Sequence, residues 1–120
     1  MRLLPITLLC LCCVARAQAW QAIKGEALPG FFAGRELGDD AHFAYRFAED
    51  QSFSGTEMGR DVRGRWRVMG GKMCWKWIVP AQDEECYQVE HAGDEVRMLK
   101  NGSEAWAGRL RPAGATARRP

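Results

Sequence analysis

The stretch Arg65-Trp66-Arg67-Val68-Met69-Gly70-Gly71-Lys72-Met73-Cys74-Trp75-Lys76-Trp77 decides the fold. Two runs that alternate apolar with basic residues flank a glycine doublet. Alternation at a period of two marks a half-buried strand, because successive side chains point to opposite faces. A Gly-Gly pair between two such runs marks a tight hairpin, whose type I′ turn needs positive φ at both central residues. The doublet then sets the register: Met69 opposite Lys72, Val68 opposite Met73, Arg67 opposite Cys74 and Trp66 opposite Trp75. In that register Trp66, Val68, Met73, Trp75 and Trp77 share one face, and Arg67, Cys74 and Lys76 share the other. A slip by one residue would turn the indoles into water, so the register is strongly specified.

The pattern continues on both sides. Downstream, Pro80 to Glu85 is a polar, acidic loop, and Cys86 starts a strand in which Tyr87, Val89 and His91 alternate with Gln88 and Glu90. Val96 and Met98 continue the apolar face after a turn at Ala92 to Glu95. Asn101-Gly102 is a second hairpin signal. It sets Ala105 and Ala107 opposite Met98 and Val96, and Trp106 opposite Arg97, with Leu99 on the same side as Trp106. Upstream, Phe43, Tyr45 and Phe47 alternate with Ala44 and Arg46, and a strand over 52–58 puts Phe53 opposite Phe47 and Gly55 opposite Tyr45. The stretch from Gly59 to Gly64 reads as a charged turn or loop. Between Gln18 and Arg35, apolar residues recur at three- and four-residue steps with Pro29-Gly30 interrupting them. This predicts one or two short helical turns that dock Trp20, Ile23, Leu28, Phe31 and Phe32 on something larger. The fold class is mainly β: an antiparallel meander of six or seven short strands, as a curled sheet or small barrel, with a short N-terminal helical segment.

The first residues read as an export leader. Arg2 precedes an apolar run from Leu3 to Val14, and Ala15-Arg16-Ala17 supplies small residues at the positions a signal peptidase checks. The run is shorter than the roughly 20 residues a membrane-spanning helix needs. The expected organisation is a signal peptide over 1–19, a single β-rich domain over 20–110 and a disordered Arg/Pro/Ala tail over 111–120. The chain has 120 residues, 47% hydrophobic and 27% charged, an ordinary globular composition too short for the large nucleotide-binding enzyme folds. Of its 17 basic residues, Arg2 and Arg16 fall in the leader, which leaves 15 against 15 acidic ones. That balance lacks the basic field of a nucleic-acid binder. Of the five cysteines only Cys74 and Cys86 follow the leader. An even pair in an exported domain reads as a disulfide, and closing a loop of this size stabilises by roughly 2–3 kcal/mol.

Three segments resemble a recurring signature of small exported bacterial domains of unknown function. They are Gly64-Arg65-Trp66-Arg67-Val68, Met73-Cys74-Trp75-Lys76-Trp77 and Cys86-Tyr87-Gln88-Val89, preceded by Phe32-Ala33-Gly34-Arg35-Glu36-Leu37 and Phe43-Ala44-Tyr45-Arg46-Phe47. The resemblance runs from Ala27 to Leu110 and implies an exported, disulfide-bearing β domain. It supplies no catalytic residues. One departure is Asp50-Gln51, where the signature has Asp-Gly.

Chemistry-bearing residues are sparse. Asp39-Asp40, Glu49-Asp50 and Asp83-Glu84-Glu85 are sequence-adjacent acids without the spacing of a calcium loop. His42 and His91 are the two histidines, and Ser52, Ser54 and Ser103 lack a nucleophile-elbow context. Met58, Met69, Met73 and Met98 read as core filler, and no haem-attachment motif is present. No cofactor, metal site or catalytic residue is expected. The expected core aromatics are Trp66, Trp75, Trp77 and Tyr87. Trp106, Leu99 and Arg97 are either covered by the Trp20–Phe32 segment or form an exposed interaction patch. The function expected is a non-enzymatic binding module of the bacterial envelope, periplasmic or secreted, with an envelope protein or cell-wall component as partner. It would have no nucleic-acid role and no membrane span after leader cleavage. The alternatives are an inhibitor of a cell-wall hydrolase or protease, and a small lipocalin-like carrier if the sheet closes round a cavity.

Overall fold

The computed structural model describes residues 2–5 and 19–114. Most of the expected leader, and the last six residues of the expected tail, lie outside the described residues.

After a two-residue strand β1 (Gln21–Ala22), a 3-10 turn (Gly25–Ala27) leads into helix α1 (Leu28–Phe32). Eight strands follow: β2 (Arg35–Gly38), β3 (Phe43–Phe47), β4 (Ser52–Glu57), β5 (Arg60–Met69), β6 (Lys72–Val79), β7 (Glu85–Ala92), β8 (Glu95–Lys100) and β9 (Ser103–Pro112). Each pairs antiparallel with the next, and β9 returns to pair with β2, Leu37 opposite Leu110. The meander therefore closes into an eight-stranded up-and-down barrel. Closure leaves no long edge open to pair with another chain. β1 lies outside the ring, pairing with the end of β7 that β6 does not reach.

The glycine doublet behaves as its sequence predicts. Gly70 and Gly71 have φ of 59° and 75°, and β5 and β6 pair Trp66 with Trp75, Arg67 with Cys74 and Val68 with Met73. Phe47 faces Phe53 and Tyr45 faces Gly55, also as expected. The strand count differs, because two short segments near the N-terminus also pair. The 59–64 stretch is not a loop either: β5 begins at Arg60, and the turn is Met58-Gly59. Gly64 hides that strand's alternation, since it points inward with no side chain. The Phe53 ring takes its place, 2.5 Å from where a Cβ on Gly64 would sit.

Inward residues fill the barrel. Tyr45, Phe53, Trp75 and Trp77 are almost fully buried and meet edge-to-face at 5.3–6.3 Å along Tyr45–Trp75, Tyr45–Trp77 and Tyr45–Phe53. Large aromatics bury 150–250 Å² each and gain further from such edge contacts. α1 closes one end, with Phe32 against Phe47 at 5.1 Å and Trp66 at 6.3 Å. Pro29 falls in the first turn of α1, where its missing N–H costs nothing.

Candidate binding surfaces

The expected site residues separate into three groups. Trp66, Trp75, Trp77 and Tyr87 are core, each no more than 4% exposed. Cys74 and Cys86 form a disulfide between directly opposed residues of β6 and β7, on the outside of the barrel. Glu84 lies close to both sulfurs, but sulfurs joined to each other offer no thiolate to a metal.

Arg97, Leu99 and Trp106 do not make one patch, and this corrects the expected register. β8 and β9 pair Leu99 with Glu104 but Met98 with Trp106, so the ladder shifts by one residue beside Ala105. A bulge of this kind sends the following side chains to the other face. Trp106 therefore points inward with Met98 and packs on Trp75 at 5.3 Å and Phe43 at 5.4 Å. Leu99 stays outside opposite Gln88, buried apart from the core cluster. Arg97 is also outside and is covered: its guanidinium lies 4.3 Å from the Trp20 ring centroid and donates to Glu90 at 2.8 Å.

The histidines occupy different surroundings. His91 stacks edge-on against Phe31 at 5.5 Å and its Nδ1 is 3.1 Å from the Gly93 carbonyl oxygen, as a packed residue. His42 is two-thirds exposed, and its Nδ1 meets Asp39 Oδ2 at 2.7 Å. Burial works against charge on Asp39, but the N–H groups of Phe43, Ala41 and His42 all donate to it, together with the His42 ring. The net effect holds its carboxyl well below the usual carboxylate range. The pair closes the β2–β3 turn. Its imidazole is oriented as a base would be, but it stands on an open turn, and no hydroxyl or thiol contacts it among the described residues. The carboxylate of Glu85 accepts from the Tyr87 hydroxyl at 2.8 Å and from Lys100 at 3.0 Å, and both lower its pKa. The hydroxyl of Tyr45 has no hydrogen-bond partner among the described residues. Burial, then the Glu57 carboxylate, pushes its pKa far above the ordinary phenol range, so it stays neutral.

Sequence reading missed the outer face of β3–β6. Its rows run Arg46, Ser54, Arg63, then Ser52, Arg65, Lys76, then Arg67 and Cys74. With Lys72 at the hairpin end, six basic side chains are exposed there. Asp61 is the one acidic residue on the same outward strand positions among the described residues. Arg67 is held by Glu84 through two hydrogen bonds, at 2.9 and 2.5 Å, and Arg65 reaches the Asp50 carbonyl at 3.4 Å. The signal was available as the alternation Arg63-x-Arg65-x-Arg67. At the upper end of this face, Met58, Val79 and Pro80 line a groove of 540 Å³ with Arg60 and Asp61. Ile78 is the extra residue where the β5–β6 register shifts, and the shift sets Val79 opposite the outward Arg63.

No family model matches the chain, and no curated protein or solved structure matches it either. Among the described residues no helix is long and apolar enough to cross a membrane. The barrel itself has an aromatic interior and a charged exterior, the reverse of a transmembrane barrel's lipid-facing apolar band.

Proposed function

We propose that this protein is an exported, non-enzymatic binding module of the bacterial envelope that works from the outside of its barrel. The observation that carries the reading is the filled interior beside a predominantly basic outer face on β3–β6. A carrier needs a cavity, and the space at the barrel axis is taken up by Tyr45, Phe53, Trp75, Trp77 and Trp106 in mutual ring contact. What remains for recognition is the surface, and on β3–β6 that surface is cationic. Export is supported by the leader-like run before residue 20, by the Cys74–Cys86 bridge and by the resemblance to small exported domains.

Co-sedimentation with separated envelope fractions tests this: cell-wall sacculi in one tube, membrane vesicles in another. The variant Arg46→Glu/Arg63→Glu/Lys76→Glu is expected to lose most of the binding shown by the natural chain, while Arg109→Glu on the opposite face keeps it. Equal loss in both variants, or binding to no fraction, would reject the reading.

A further inference from the structure

We infer that the upper rim of β4–β6 and the basic face below it form one docking surface for an anionic lipid bilayer. This rests on the reading that the barrel binds from outside and specifies the partner.

Three observations converge. The first is the rim: Met58 is 71% exposed, Ile78 48% and Val79 41%, and they stand at neighbouring strand ends. Side chains of this kind enter the headgroup region when a protein lies on a bilayer. The second is the backbone at Met58. It takes φ of 49° and Gly59 takes 77° in the turn between β4 and β5. Asn or Asp suits the first position of such a turn, and a bulky side chain there is strained. A large apolar residue thus sits where turn stability disfavours it and water disfavours it too. Neither cost serves the fold, and a residue inserting into lipid accounts for both. The third is charge. Arg60 lines the rim groove, and Arg63, Arg65 and Lys76 follow on the face beneath. Glu57 and Asp61 share the groove with Arg60, so the positive excess lies not in the groove but on the face below it, at Arg63, Arg65 and Lys76.

A soluble polyanion would satisfy the arginines and leave the rim in water. An apolar protein patch would cover the rim and leave the arginines without counter-charge. An anionic bilayer meets both, with phosphates at the height of the arginines and acyl chains under Met58, Ile78 and Val79. Each basic side chain close to such a surface strengthens binding by about fivefold.

The test uses the chain purified after export and vesicles of phosphatidylglycerol with phosphatidylcholine in equal parts, against phosphatidylcholine alone. Co-sedimentation is expected with the mixed vesicles only, falling as salt is raised. Arg63→Glu/Arg65→Glu is expected to weaken it at least about tenfold. Met58→Asn is the decisive variant. It suits the turn, so its thermal midpoint stays level or rises, while vesicle affinity drops by about tenfold as the apolar anchor is lost. Unchanged affinity in Met58→Asn, or equal binding to the two vesicle types, would overturn the inference. Binding to sacculi or to soluble polyphosphate with both vesicle types ignored would sink the bilayer assignment and leave the outside-binding reading intact. No binding to any of these probes would sink both.

Discussion

The two halves of the barrel's outer surface are built on one core and finished differently. On β7–β9 and β2, cross-strand neighbours set Glu90 opposite Arg97 and Glu95 opposite Arg109, with Glu36 opposite both Arg46 and Arg111. Trp20 is laid over Arg97, and Arg111 is clamped by two hydrogen bonds to Asp40. Charges there have counter-charges, and the N-terminal segment serves as a cover. On β3–β6 the rows carry Arg63 and Arg65 opposite serines and Arg65 opposite Lys76, with Arg46 facing Glu36 and Arg67 held by Glu84 only at the margins, and the rim above leaves Met58 and Ile78 in water. The fold does not require that asymmetry, since the same interior would be closed by a neutral face. The difference marks the half of the surface that the described residues do not complete.

Substitutions can sharpen or break this contrast. The largest effect falls on what both halves share. Trp106→Ala is expected to cost about 3 kcal/mol in denaturant unfolding, because the partly buried indole packs against the core. If Trp106 were instead an exposed patch residue, its removal would cost under about 0.5 kcal/mol. Next comes the seam between the halves, where Cys74→Ser/Cys86→Ser is expected to lower stability by about 2–3 kcal/mol under oxidising conditions. A third substitution concerns the turn that leads from the matched half into the other. Asp39→Ala removes the acceptor for three backbone N–H groups and is expected to cost about 1–2 kcal/mol at neutral pH. Because the folded-state pKa of Asp39 is depressed, its contribution is complete above the ordinary carboxylate pKa near 4 and declines as pH falls below it. The gap between natural chain and variant should therefore close in acid, which paired unfolding curves at pH 7 and pH 3 would show. The smallest effect compares the halves directly. Arg97→Ala strips the Trp20 stack and leaves Glu90 unpaired, for an expected loss of about 1 kcal/mol. Arg63→Ala, with no ion-pair partner among the described residues, should change stability by less than about 0.5 kcal/mol. Equal costs for the two arginines would mean that the asymmetry of the surface is not energetic.

The two glycine-bearing hairpins show how much of this was legible in the residues. At Gly70-Gly71 the flanking runs alternate without fault, and turn, register and faces all follow from the sequence. At Asn101-Gly102 the turn is also as expected, with φ of 51° and 78°, and the first pairs hold. The bulge then reverses the faces. A strict register would have put two alanines inside the barrel and a tryptophan outside, and that mismatch in size was the available warning. Closure through β2 and β9 left no local trace, because strands so far apart in the chain are brought together by curvature and not by a turn. The basic face was visible only as fragments. Arg63, Arg65 and Arg67 alternate along one strand, but Arg46 and Lys76 join them only once the neighbouring registers are known.

Recognition at the outer surface would leave the sealed interior undisturbed. Amide and indole resonances followed during titration with phosphatidylglycerol-containing bicelles test this directly. Shifts confined to the outward residues of β3–β6 and to the rim at Met58, Ile78 and Val79 are the expected result. Shifts centred on the indoles of Trp66, Trp75 and Trp77, or on the β7–β9 surface around Arg97, would contradict it.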